Sequence, residues 1–210
     1  MKVTKKILAG LLAASMVVSS ATVWAAGSRT NNVTLPEESA GKYVVADDIK
    51  ETPSYKALAE KAPEVVSLID EVNAGTADAA SFVETMKEVL ADETLSEEAK
   101  ASVENVISVM EEKNLDFVTG FFDLDIEEDA EVEKNENGNY DVTLAVPSMT
   151  DTMTDISLLH YSTVRELWEV IEVDAENVDV ENKTIKAEFI DFSPVAIIAN
   201  AEEAEETAAE

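Results

Sequence analysis

Between Thr52 and Asn114 the apolar residues recur every three or four positions, and beyond Asn114 the period falls to two. Thr52-Pro53 reads as an N-cap followed by proline at the first helical position, and Pro63 repeats that start, so a helix pair is expected there. Val65, Leu68, Ile69 and Val72 make one apolar face, which Asn73-Ala74-Gly75 ends. A further helix follows from Asp78, with Phe82, Val83, Met86, Val89 and Leu90 as its stripe. Thr94-Leu95-Ser96-Glu97 matches a capping box and opens another, with Leu95, Ala99, Val103, Val106, Ile107 and Met110 on one face. Such stripes are buried against one another or against a neighbouring module, and the pattern predicts a small helical bundle over residues 52–114.

The second half reads as strand. Tyr140, Val142, Leu144 and Val146 alternate with Asn139, Asp141, Thr143 and Ala145 after an Asn137-Gly138 turn, and Ile185, Ala187 and Phe189 alternate with Lys186, Glu188 and Ile190. With Phe117–Ile126, Ile156–Tyr161, Leu167–Val173 and Val195–Ala199, six short strands separated by turns predict an antiparallel β-sandwich over residues 115–200. Its expected core is Phe117, Tyr140, Val142, Leu144, Trp168, Ile185, Phe189 and Ile197, enough for the fragment to fold alone. Residues 26–51 read as a linker with room for one short strand at Tyr43-Val44-Val45, and 201–210 as an acidic tail. The fold class is therefore α+β, a helical segment followed by a sandwich.

Residues 1–25 change the picture of where this fold works. Lys2, Lys5 and Lys6 precede an apolar run from Ile7 to Ser19 and a Val23-Trp24-Ala25 exit, which is the layout of a secretory signal peptide cleaved before Ala26 or Gly27. The run is shorter than the roughly 20 apolar residues of a membrane helix, so no integral membrane segment is expected after cleavage. Cleavage removes three lysines and no acid, leaving 12 basic against 45 acidic side chains. Nucleic acid and anionic membrane surfaces would be repelled. With no cysteine in the chain, disulfides and a lipid-bearing cysteine are excluded, and stability must come from packing.

The segments NENGNYDVTLAVP, SLLHYS, LWEVIE, KTIKAEF and DFSPVAIIA together resemble a recurrent C-terminal module of secreted and surface proteins of anaerobic bacteria. The resemblance spans residues 117–200, and its last segment is the most telling. It implies an immunoglobulin-like sandwich without chemistry of its own. The helical part carries no such resemblance, and the chain has no wall-anchoring motif.

Candidate chemistry centres on His160, the single histidine, in Leu158-Leu159-His160-Tyr161-Ser162. Both faces of this strand carry apolar groups, so a structural role is expected, with His160→Gln costing at most about 1–2 kcal/mol. A serine triad would have to use His160, and Ser162 shares its strand face, yet no Gly-x-Ser-x-Gly elbow or glycine-rich oxyanion loop accompanies it. Zinc lacks its usual ligands. Asp123, Asp125 and Glu127 alternate with Leu124 and Ile126, but Glu128 and Lys134 stand where an EF-hand from Asp123 needs glycine and a bidentate glutamate. Weak calcium binding at a turn stays open, as does an aromatic platform of Trp168 and Tyr161 for sugar, against which stands Trp168 as core. The expectation is a secreted non-catalytic protein without cofactor, metal or catalytic residue, binding an extracellular protein or glycan. A carbohydrate-binding module through Trp168 and Tyr161 is the first alternative, and a carboxylate-dependent hydrolase the second.

Overall fold

A computed structural model describes residues 33–93 and 95–201. Residues 1–25, expected as a signal peptide, residues 26–32 and the tail beyond Ala201 lie outside the described residues. Strand β1 (Tyr43–Val45) comes first, followed by helices α1 (Pro53–Lys61), α2 (Pro63–Asn73), α3 (Ala79–Leu90) and α4 (Glu97–Glu112). Next come β2 (Asp116–Phe117), β3 (Leu124–Ile126), β4 (Tyr140–Ala145), β5 (Met153–Ser162), β6 (Leu167–Glu172), β7 (Val178–Asp179), β8 (Thr184–Phe189) and β9 (Val195–Ala201). The class is mixed α+β.

The helices begin where their caps dictate. Thr52 Oγ1 accepts from the Tyr55 amide at 3.2 Å and Asp78 Oδ1 from the Ser81 amide at 2.8 Å. For α4 the cap is Ser96, whose Oγ accepts from the Ala99 amide at 3.1 Å. This corrects the capping box opened at Thr94: starting at Ser96 puts Glu97 and Glu98 into the first turn, against the positive end of the helix, and leaves Leu95 outside it.

The strands form a four-stranded antiparallel sheet in the order β2-β9-β5-β6, a three-stranded one in the order β4-β8-β7, and the pair β1-β3. Along β5 and β9 alternate side chains serve two different cores. Leu159 and Tyr161, with Ala196 and Ile198, face the helices and join Ile69, Phe82, Met86, Val106 and Met110. Ile156 and Leu158, with Val195, Ile197 and Ala199, face the other way, onto Val142, Leu144, Ile185, Ala187 and Phe189 of the second sheet. The first sheet is thus a middle layer, and every side chain of β5 from Ile156 to Ser162 is buried.

Several expectations change accordingly. The helical stripes do not close on one another alone, because the β2-β9-β5-β6 sheet offers a larger apolar face. Phe117 and Trp168 belong to the helix-side core, not to the core between the sheets. The single strand expected over Phe117–Ile126 is split between two sheets, since adjacent Phe121 and Phe122 enter opposite cores and break the alternation. The segment expected as a linker is packed from Val33 onward. Its Thr34 pairs with Ala145, Ser39 Oγ accepts from the Thr143 amide at 2.9 Å, and the Tyr43 hydroxyl donates to the Asp141 carbonyl at 2.9 Å. It thereby covers the free edge of β4, whose ladder groups would otherwise be open.

Polar ties fix the helices to the middle layer. Asn73, expected only as a helix stop, donates through Nδ2 to the Phe121 carbonyl at 3.0 Å and accepts from the Phe121 amide at 2.6 Å. Ser102 of α4 donates to the Trp168 carbonyl, and Asn200 Nδ2 to the Lys113 carbonyl at 3.0 Å. Among the described residues no helix is long and apolar enough to cross a membrane.

Candidate functional site

The end of β5 carries His160 into a polar knot between the two sheets. Its Nε2 lies 2.7 Å from Ser193 Oγ, and the Ser193 hydroxyl donates to the Tyr161 carbonyl at 2.7 Å. A hydroxyl has one proton, so the His160 Nε2–H is the donor to Ser193. Nδ1 then faces Glu169 Oε2 at 3.5 Å, buried and without a hydrogen-bond partner. The Arg165 guanidinium grips that same carboxylate oxygen. Ser162 donates to the Asp191 carboxylate at 2.9 Å and accepts from the Arg165 amide at 3.1 Å. The order Ser193, His160, Glu169 mimics a nucleophilic triad, but a general-base histidine must accept the serine proton. Here that proton is committed to a backbone carbonyl, and both side chains are only 1% exposed. The arrangement fastens β5 to the β8–β9 connection.

Tyr161 points to the other face of β5. Trp168 opposite it is 5% exposed and meets the rings of Phe82, Phe121 and Tyr161 at centroid separations of 5.5, 5.9 and 5.1 Å. Trp168 is core, and it presents no free ring face on which a sugar could stack. Tyr161 itself is 7% exposed, and lines a cavity of about 410 Å³ between the α1–α2 junction, the start of α4 and the β5–β6 turn. Leu58, Ala62, Leu95, Ala99 and Leu167 supply its apolar surface, and Lys61, Glu64, Glu98, Arg165 and Glu166 its charges. Burial first, then the Glu166 and Glu64 carboxylates, push the Tyr161 phenol up to about 12, so it stays a neutral hydroxyl.

The acidic run does not present its carboxylates as one face. Asp125 and Glu127 are exposed, while Asp123 is buried beneath the first turn of α1 and accepts from the Ser54 hydroxyl. Among the described residues no group of three His, Asp or Glu side chains converges as a metal site. Burial pushes the Asp123 carboxyl up, opposed by hydrogen bonds from Ser54 and Thr52. The folded state therefore binds the proton more tightly than the unfolded chain, and stability falls as pH rises from the ordinary carboxylate range through the raised folded value. Asp123→Asn is expected to flatten that part of the profile and to melt above the parent at pH 7. Thermal melts from pH 3 to 8 check this, and a variant less stable at every pH would refute it.

With this geometry in hand, the chain matches no family model, no curated protein and no solved structure. Of the residues singled out in the sequence, the structure brings His160 and Ser162 into one polar knot and places Tyr161 and Trp168 in contact on the opposite face. Ser193, Glu169 and Asp191 were missed. Glu169 was within reach, because a hairpin turning between Ser162 and Leu167 sets it opposite His160.

Proposed function

We propose that the protein is a secreted, non-catalytic extracellular binding protein, in which residues 117–200 are an immunoglobulin-like sandwich supporting the helical segment. One observation carries this reading: the His160–Ser193 pair and the open cavity lie on opposite faces of β5. His160 and Ser193 are sealed between the sheets, while Tyr161 opens to the groove. The leader layout and the acidic composition support an extracellular setting. A protein or glycan is the partner class, and a glycan would have to be held without ring stacking, because Trp168 and Tyr161 are in the core.

The test is in two parts. The exported protein, sequenced from its N-terminus, should begin at Ala26 or Gly27, and a product retaining Met1 would contradict secretion. The full chain, offered ester and glycoside substrates, should turn over neither. Hydrolysis that disappears in Ser193→Ala or in Glu166→Gln would make the protein an enzyme.

A further inference from the structure

We propose that the groove beside Tyr161 binds a small zwitterion with an apolar side chain, either a free amino acid or a short peptide with free ends. The proposal rests on the non-catalytic binding role above and gives the groove a small-molecule ligand beside the protein or glycan partner. The volume of about 410 Å³ fits a molecule of that size. Tyr161, which lines it and is more than nine-tenths buried as a residue, has a hydroxyl with no hydrogen-bond partner among the described residues. That oxygen is not sealed off, since among the described residues His160 Nδ1 is the buried side-chain polar atom left without a partner, so the hydroxyl opens to the groove, where a ligand polar group can pair with it.

The charges around this hydroxyl are of both signs. Glu64, Glu98 and Glu166 line the same cavity as Tyr161 and offer carboxylates to an ammonium. Lys61 and Arg165 line the same cavity, and Arg165 shares its charge with Glu169. A lone cation would leave Lys61 unanswered, and a lone anion would meet the carboxylates of Glu64, Glu98 and Glu166. A molecule carrying both charges answers both. The apolar part has its own place, because the α4 stripe, buried from Val103 onward, continues at Ala99 as groove wall, joined by Leu95 before the helix and by Leu58 and Leu167. A neutral sugar would use none of the paired charges and finds no free ring face.

The secreted chain has Trp168 as its sole tryptophan, 5.1 Å from the Tyr161 ring, so its fluorescence reports on the groove. Leucine and leucyl-leucine would be titrated into the chain from Ala26 onward beside N-acetyl-leucine, leucinamide and N-acetylglucosamine. Saturable binding is expected for leucine or the dipeptide, and the tighter of the two identifies the source. Removing either ligand charge should weaken binding roughly tenfold or more, as loss of a charge-assisted hydrogen bond does. Glu64→Gln with Glu166→Gln, both on the exposed rim, should weaken it similarly with the melting temperature unchanged, and Tyr161→Phe roughly fivefold. N-acetyl-leucine binding as tightly as leucine, or no saturation by either zwitterion up to about 10 mM, overturns the proposal. Saturable N-acetylglucosamine binding overturns the zwitterion but keeps the binding role, whereas ester turnover overturns the role itself.

Discussion

Residues 115–200 expressed without the helices should give aggregating, dye-binding material in place of a folded monomer. The fragment contains the whole core between the two sheets, which is why its sequence alone argues for independence. It also contains a second apolar face that only the helices cover: Phe117, Phe121, Leu159, Tyr161, Trp168 and Ile198. Burying a large apolar side chain contributes about 1.5–3 kcal/mol, so uncovering six costs on the order of 10 kcal/mol. That equals the whole stability of a typical domain. Ser102, Asn73 and Lys113 would be lost as partners of the middle layer as well. Size-exclusion chromatography, dye binding and circular dichroism of the fragment decide the matter, beside one cooperative melt for the full chain. A monomeric fragment with its own sharp melt would mean that the two cores are energetically separate.

The second large effect is expected at Ser193. Its single hydroxyl serves the Tyr161 carbonyl as donor and His160 Nε2 as acceptor, in a place water does not reach. Ser193→Ala strips both at once, and an orphaned buried polar group costs about 1–3 kcal/mol. The loss should come to roughly 2–4 kcal/mol, read as a lowered urea midpoint at unchanged slope. His160→Gln, which keeps a donor within reach of Ser193, should lose less. A Ser193→Ala change within about 0.5 kcal/mol of the parent would show that the knot does not fasten the sheets.

How far these features could be read from residues alone depends on the kind of signal. The faces of α2 and α3 are plain because helical period marks which side is buried, but a stripe does not say against what. Val65, Leu68 and Phe82 would look the same in a bundle closed on itself. The middle layer left a trace that is easy to undervalue: Ile156 to Tyr161 is apolar on both faces, as a strand covered on both sides must be. At 117–126 the competing preferences of Phe121 and Phe122 for opposite cores overrode the simple alternation. The polar knot was half legible. Hairpin register pairs His160 with Glu169, whereas Ser193 reaches His160 only through long-range packing of β9 on β5, which no local pattern encodes.

The place of β9 has a consequence for the order in which the chain is made. Among the described elements this strand comes last along the chain, yet it lies between β2 and β5 and feeds side chains into both cores. Until its seven residues exist, the middle sheet is interrupted, the helices have an incomplete floor and the second sheet an incomplete cover. Earlier segments on the ribosome therefore have no finished surface to settle on, and the non-local pairing that completes them is slow to form. Closure of both cores therefore waits on β9, whichever segments precede it.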